Sequence, residues 1–229
     1  MSGKRHIQLY CERLTPATAA AGIEAAMRNA RSLLLDANLL FENHRWARAG
    51  ALAILSIEES GKPAILRGIL LARSEKDVRY EWKRYRNHCS KNLMWIFRDL
   101  VNRGAKSLED LRPIFDKQSD HGAALEATKQ TCWYSYAYGN CHWSLPEEVI
   151  DKKLAGTLVE IAEVLAAGEE GRAMTSEAEL ELWIKHMGPV WRGDMAEMKS
   201  ALLACYAEAD SLKILRGNVS PSEVARFVL

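Results

Sequence analysis

Helical periodicity is the feature that most limits what this 229-residue chain can fold into. From Thr15-Pro16, a hydroxyl N-cap followed by a proline suited to the first helical turn, apolar residues recur every three or four positions as far as Phe41. The segment from Trp46 to Ile57 is apolar on nearly every side, which is typical of a helix at the centre of a bundle. We therefore predict an all-α protein built around these two helices.

Two features interrupt this helical pattern. Gly61 and Pro63 are expected to break or kink the second helix, because proline lacks an amide donor and its ring clashes with the preceding turn. A third long helix is then predicted from about Asp77 to Asn102. Residues 104–145 lose the helical period, and their aromatic run CWYSYAYGNCHW, which contains the dipeptide GN, favours a short β-hairpin.

No linker rich in proline, glycine or serine divides the chain, so we predict one domain over residues 1–229. Within it, the core helices of a bundle occupy residues 16–103, and an irregular aromatic segment occupies residues 104–145. Additional helices follow in residues 146–229, where a capping signal at Ser176 starts one of them. The predicted architecture is a helical bundle with an irregular middle segment and extra C-terminal helices.

Composition excludes several classes of function. With 48% apolar residues and a formal net charge of +1, the chain can bury a core but has no overall field that would draw it to nucleic acid or to a membrane. No apolar run approaches the length of about 20 residues that a helix needs to span a bilayer. The five cysteines form no CxxC pair. Phosphate-binding glycine loops and the motifs of zinc enzymes and serine hydrolases are also missing. We predict a cytoplasmic protein that uses neither a cofactor nor a metal ion.

The strongest candidate for a functional site is the basic stretch RYRNHCSKN, which begins at Arg84. On one continuous helix, a single face would carry Arg84, His88, Lys91 and Trp95. The histidine can accept and donate a proton near neutral pH, the two cations can bind a phosphate, and the tryptophan can stack on an unpaired RNA base. A metal-independent ribonuclease needs these groups, although a basic helix face is also typical of plain solvent exposure.

A second candidate lies at the end of the buried helix, in the segment IEESGK. Glu58 and Lys62 are four residues apart with the acid first, which favours an ion pair within a helix. Because the segment follows a mostly apolar run, this pair is either partly desolvated and functional or an ordinary pair on the surface. Lys129 and Tyr134, in the aromatic segment, could close over a pocket or belong to a small satellite core.

Three blocks of this sequence resemble the AbiV family of bacterial abortive-infection proteins, which is similar to the wider HEPN superfamily of helical nucleases and toxins. The blocks are NARSLLLDANLLFENHRWARAGALAILSIEESGKP, WKRYRNHCSKN and KQTCWYSYAYGNCHWSLPEEV, and they cover roughly residues 20–150. The resemblance implies a HEPN-like bundle and an anti-phage protein that arrests growth or translation in the infected cell. It also implies a homodimer in which an arginine and a histidine from each protomer meet and cut RNA without a metal ion.

Carried onto this sequence, the resemblance implies a site made of Glu58, Lys62, His88 and Lys91, with Arg84 nearby. HEPN nucleases usually place four to six residues between the arginine and the histidine, whereas Arg84 leaves three. Two hypotheses therefore stay open. In the first, the protein is a homodimeric RNase in which His88 is the acid or base and the cations bind RNA. In the second, it is a non-catalytic helical toxin or sensor that binds the translation machinery or a phage-encoded activator protein.

Overall fold

Helices dominate the computed structural model, which describes residues 9–116, 118–166, 173–216 and 219–228. The two longest helices, α1 (Pro16–Glu42) and α2 (Trp46–Leu70), pack against each other. The elements that follow are α3 (Glu75–Arg86), α4 (His88–Lys91), the 3-10 helix η1 (Asn92–Ile96), α5 (Phe97–Asn102), the 3-10 helix η2 (Glu109–Phe115), α6 (His121–Trp133), β1 (Tyr136–Tyr138), β2 (His142–Ser144), α7 (Pro146–Val149), α8 (Lys152–Ala166), α9 (Glu177–Val190), α10 (Met195–Ser211) and α11 (Pro221–Val228). The predicted all-α bundle is confirmed.

The N-terminus of α1 forms as its sequence predicts. The Thr15 hydroxyl accepts a hydrogen bond from the Thr18 amide at 3.2 Å, and the Thr18 hydroxyl accepts one from the Thr15 amide at 2.8 Å. This reciprocal pair satisfies two of the amide donors that a helix start leaves free. Pro16, at the first helical position, needs no donor there.

The second helix lies at the centre of the bundle, as predicted. Ile54 and Ile57 are fully buried in it, in a core cluster that also contains residues of α1, α6 and α8. Burying each such side chain contributes about 1.5–3 kcal/mol. Gly61 and Pro63 do not end the helix, because α2 continues through both of them to Leu70.

The third predicted helix is interrupted, and this corrects the expectation of one basic face. α3 ends at Arg86, and Asn87 is extended, with φ −88° and ψ 123°. A new helix, α4, starts at once, and η1 and α5 follow it. Arg84 therefore lies on a different helix from His88 and Lys91.

The segment expected to be irregular contains both the predicted hairpin and a helix that the sequence pattern missed. Strands β1 and β2 pair in antiparallel register, with Tyr136 opposite Ser144. Before them, α6 runs for 13 residues and packs against α2 and α4. The middle segment is therefore part of the bundle's framework.

The C-terminal helices have a small core of their own, formed by Met174, Leu182, Cys205 and Ala209. α9 begins at the predicted capping box, in which the Ser176 hydroxyl accepts from the Glu179 amide at 3.3 Å. Within the described ranges, no helix has the length and apolar character needed to cross a bilayer.

Candidate functional site

A buried carboxylate in the middle of α2 gathers three basic side chains. Glu58 is 2% exposed, and its Oε1 accepts a hydrogen bond from Lys129 Nζ at 2.5 Å. Its Oε2 lies 2.6 Å from His88 Nδ1 and 3.2 Å from Lys91 Nζ. With Glu126, which contacts Lys129 Nζ at 2.7 Å, these residues form what we call the Glu58 cluster. Three helices, α2, α4 and α6, meet at it.

The short helix α4 reaches the cluster because its backbone fits closely against two glycines. A Cβ atom on Gly61 of α2 would lie 2.1 Å from the Lys91 carbonyl oxygen, and one on Gly122 of α6 would lie 2.8 Å from the Cys89 carbonyl oxygen. Any larger residue at these two positions would push the main chain of α4 away. The glycine of the EESGK segment therefore positions the histidine rather than ending a helix.

The start of α4 is fixed by Asn87. Its side-chain oxygen accepts hydrogen bonds from the Ser90 amide at 2.8 Å and from the Ser90 hydroxyl at 3.1 Å. This cap stabilises a helix of one turn, which could not form in isolation. The break at Asn87 turns His88 towards α2 and α6.

α6 supplies the two residues of the cluster that the sequence did not assign to it. Lys129 is 5% exposed, and Glu126 lies three residues before it on the same helix. Gln130 donates a hydrogen bond to Glu126 at 2.7 Å and holds this second carboxylate in place. The signal available in the sequence was a lysine on the buried face of α6, in register with Leu125 and Cys132.

The electrostatics of the cluster fix the protonation of its central acid. Burial alone raises the pKa of Glu58, but hydrogen bonds from Lys129 and His88 and the charge of Lys91 outweigh burial, so the pKa lies below its ordinary value. Burial lowers the pKa of Lys129, yet Glu126 and Glu58 more than reverse this effect and raise it. At neutral pH Glu58 is thus an anion and Lys129 a cation.

The ionised state of Glu58 determines which nitrogen of His88 carries the proton. A carboxylate is only an acceptor, so His88 Nδ1, at 2.6 Å from it, must be the donor. Neutral His88 then has its lone pair on Nε2, and the part of the chain that the structure describes gives this nitrogen no hydrogen-bond partner. The side chain of His88 is 51% exposed, which leaves the ring accessible to a ligand.

Arg84 belongs to a different group of charges. Its Nη1 donates to Oε2 of the buried Glu81 at 2.7 Å, and the other oxygen of Glu81 accepts from Arg192 Nη2 at 2.6 Å. Arg192 comes from the loop between α9 and α10. The structure therefore does not bring Arg84 into the Glu58 cluster.

Two other residues proposed from the sequence also have their own partners. Lys62 pairs with Glu59 at 2.5 Å and lies 5.1 Å from the centre of the Tyr85 ring, so the expected pair with the acid four residues before it does not form. Trp95 donates its indole N–H to the carbonyl oxygen of His121 at 3.0 Å, at the first residue of α6. Trp95 thus meets α6 more than one turn away from Glu126 and Lys129.

The arrangement of the cluster suits proton transfer. A buried carboxylate that holds Nδ1–H orients the imidazole, fixes its tautomer and stabilises the cation that forms when Nε2 takes a proton. Glu58, His88 and Glu126 also place three ligand atoms within 4.8 Å of one another, a grouping that could hold a metal ion. The Nζ of Lys129 lies beside all three side chains, 2.5 Å from Glu58 Oε1, 3.1 Å from His88 Nδ1 and 2.7 Å from Glu126 Oε2.

Fold and site together define a helical-bundle protein with a buried carboxylate that holds a half-exposed histidine. Residues 18–167, about two thirds of the chain, match the family model HEPN_AbiV, and the chain therefore belongs to the AbiV family of HEPN proteins. This confirms the resemblance seen in the three sequence blocks and makes the chain an abortive-infection protein of the HEPN type. Comparison with curated proteins and with solved structures gave no significant match.

Proposed function

We propose that this protein is a metal-independent endoribonuclease that arrests growth or translation in phage-infected cells, with His88 as its acid or base. The observation that carries the proposal is the Glu58–His88 contact of 2.6 Å, in which a buried anion holds one ring nitrogen and leaves the other accessible. A histidine held in this way can take a proton from one group and pass it to another without any metal ion. The proposed setting is the cytoplasm.

The reaction we assign to this site is cleavage by the RNA's own 2′-hydroxyl. Nε2 of His88 takes the hydroxyl proton as the oxygen forms a bond to the adjacent phosphorus. The bond from phosphorus to the 5′-oxygen then breaks, and the proton passes to that leaving oxygen. Glu58 stabilises the imidazolium that exists between these two transfers.

Phosphate binding needs positive charge, and within one chain the charges of the cluster are largely committed. Lys91 and Lys129 both contact Glu58, so they act mainly on the carboxylate. We infer that a homodimer places the charges of two such sites around one RNA, with Lys91 and the partly exposed Arg84 of each protomer as the RNA-binding candidates. In support, the half-buried apolar segment that directly follows α4, formed by Leu93, Met94, Ile96, Phe97 and Leu100, is a suitable interface.

The experiment is an RNA cleavage assay with purified protein, total RNA and EDTA. We expect cleavage by the wild type and a loss of about 100-fold or more in His88→Ala, the range typical of a lost general base. His186→Ala is the matched control, because His186 is also paired with a carboxylate, Glu208, but lies outside the site. Equal cleavage by wild type and His88→Ala would rule out the proposed base.

A specific observation favours a second candidate function, that of a non-catalytic toxin or sensor. Arg84 is held by Glu81, and both lysines of the cluster are held by Glu58, as in a purely structural polar network. On this proposal the protein binds the translation machinery or a phage-encoded activator. Growth arrest by the wild type in cells, lost in His88→Ala but with intact cellular RNA, would support binding over cleavage.

A further inference from the structure

We propose that the ammonium group of Lys129 takes the place of a divalent metal ion among three ligands, Glu58, His88 and Glu126. The chain thus carries its own fixed cation at a site whose ligand set would otherwise bind a metal. Metal binding at these three side chains does not depend on the proposed nuclease activity. Only the effect of Lys129 on catalysis rests on that activity.

The geometry of the four side chains carries this inference. One oxygen of Glu58, one oxygen of Glu126 and a ring nitrogen of His88 lie within 4.8 Å of one another, close enough for small side-chain movements to bring all three onto a single ion. Lys129 Nζ lies 2.5 Å, 2.7 Å and 3.1 Å from an atom of each of these side chains. Two carboxylates and one imidazole are also a donor set that suits Zn²⁺, at distances of about 2.0–2.2 Å.

Lys129 is built firmly into this position. Its side chain is 6% exposed, so moving its ammonium group out would leave two carboxylates facing each other with less compensating charge. Gln130 keeps Glu126 oriented towards it. Because the lysine is part of the chain, it competes with metal ions at a very high local concentration.

The lysine and a metal ion would have opposite effects on His88. A metal bound at Nδ1 needs the lone pair of that nitrogen, which moves the proton to Nε2 and removes the outward-facing base. The ammonium of Lys129 has no use for that lone pair, because it donates to Oε1 of Glu58 and leaves Oε2 in contact with His88 Nδ1. Lys129 is therefore a positioning residue that preserves the base at Nε2 and excludes an inhibitory ion.

The test compares zinc binding by the wild type and by Lys129→Ala. Binding is measured by isothermal titration calorimetry and by thermal unfolding in the presence of ZnCl₂ or EDTA. We expect Lys129→Ala to bind about one Zn²⁺ more than the wild type and to unfold at a higher temperature with Zn²⁺ than with EDTA. Adding Glu126→Gln should weaken this binding at least about tenfold, since a ligand is lost. The matched control is Lys185→Ala, which removes an exposed lysine from beside Glu208 and His186 and should gain no binding.

Each outcome decides the proposal. Equal zinc binding by the wild type and by folded Lys129→Ala overturns it, and so does equal gain in the Lys185→Ala control. If Lys129→Ala does not fold in EDTA, recovery of helical circular dichroism on adding Zn²⁺ supports the proposal, and the lack of recovery overturns it. None of these readouts uses RNA, so a failure of the nuclease proposal would be seen separately, in the cleavage assay.

Discussion

Within the residues that the structure describes, two groups bring a glutamate together with a histidine and a lysine, and they differ mainly in the burial of the carboxylate and the lysine. In the Glu208 group, Lys185 and His186 of α9 both contact Glu208 of α10 at 2.6 Å. The side chain of Glu208 is 29% exposed and that of Lys185 is 60% exposed, whereas the side chain of Glu58 is 3% exposed. The carboxylate and its lysine therefore lie in contact with water in one group and away from it in the other, while the histidines show the reverse, with 51% exposure for His88 and 19% for His186.

This difference shows what turns an ion pair into a site. Exposed pairs contribute little, because water and salt screen them, while a buried charge must be matched by fixed partners. Three helices meet at Glu58, and a second acid and a second lysine complete its charge balance. The Glu208 group joins two helices that lie outside residues 18–167, the part of the chain that matches the family. Burial thus separates the two groups more clearly than composition does.

The largest expected effect comes from removing the central acid of the buried group. Glu58→Gln leaves Lys91 and Lys129 buried without their shared anion, and we expect a loss of about 3–5 kcal/mol in the free energy of unfolding. Glu208→Gln should change this free energy much less, since Glu208 itself and Lys185 reach water. Urea denaturation of both variants measures the contrast. Equal losses would mean that burial does not distinguish the two groups.

The second prediction concerns the glycine that positions the buried group. Gly61→Ala places a Cβ 2.1 Å from the Lys91 carbonyl oxygen, and we expect the displacement of α4 to cost about 1–3 kcal/mol or more. Gly156, in α8, is the control, because a Cβ there would lie 3.4 Å from the tip of the Phe41 ring, an ordinary contact distance. Gly156→Ala should stabilise its helix by about 0.5–1 kcal/mol. Thermal unfolding of the two variants should shift in opposite directions, and a neutral Gly61→Ala would contradict the close fit of α4.

The smallest expected effect is on the pH dependence of stability. The folded-state pKa values of Glu58 and Glu208 both lie below their ordinary values, Glu58 against its burial and Glu208 chiefly through hydrogen bonds from Lys185 and His186. Each acid therefore stabilises the fold above its unfolded pKa, about 4.3, and this contribution is lost as the pH falls through the lower folded pKa. Salt should weaken only the exposed group.

The measurement is stability against pH from about 7 down to 3, at low salt and at about 1 M salt. In the wild type, the free energy of unfolding should decrease as the pH falls. We expect Glu58→Gln to reduce this decrease at both salt concentrations, and Glu208→Gln to reduce it only at low salt. If the stability of Glu58→Gln falls with pH as steeply as that of the wild type, the protonation of Glu58 is not linked to folding.

Much of the fold follows from local signals in the sequence. The cap at Thr15 and the apolar run from Trp46 to Ile57 each determine an element by contacts within a few residues, and both predictions are confirmed. The hairpin turn at Gly139 is local in the same way, since its backbone has a φ of +50° that glycine adopts readily. Such features need no knowledge of the tertiary structure.

The pairings within the candidate site could not be read from the sequence, because they depend on contacts between distant segments. Lys129 is 71 residues from Glu58, and the buried face of its helix interrupts the apolar Leu125 and Cys132 with a histidine, a glycine and Lys129 itself, so it does not read as a continuous apolar stripe. The break at Asn87 lets α4 pack closely against two glycines of other helices, a contact that no local sequence pattern reveals. His88 and Lys91 both contact Glu58, as the sequence suggested, whereas Lys62 pairs with Glu59 instead.

The glycines on either side of α4 also determine how the site fails. Gly61 and Gly122 belong to two different helices of the bundle, and each touches the main chain of α4. A one-turn helix held in this way cannot keep its place once those two helices separate. Distortion around His88 and melting of the bundle are then one cooperative transition, so warming should not loosen the site gradually ahead of the core. Conditions that preserve the packing of α2 against α6 preserve the histidine's orientation with it.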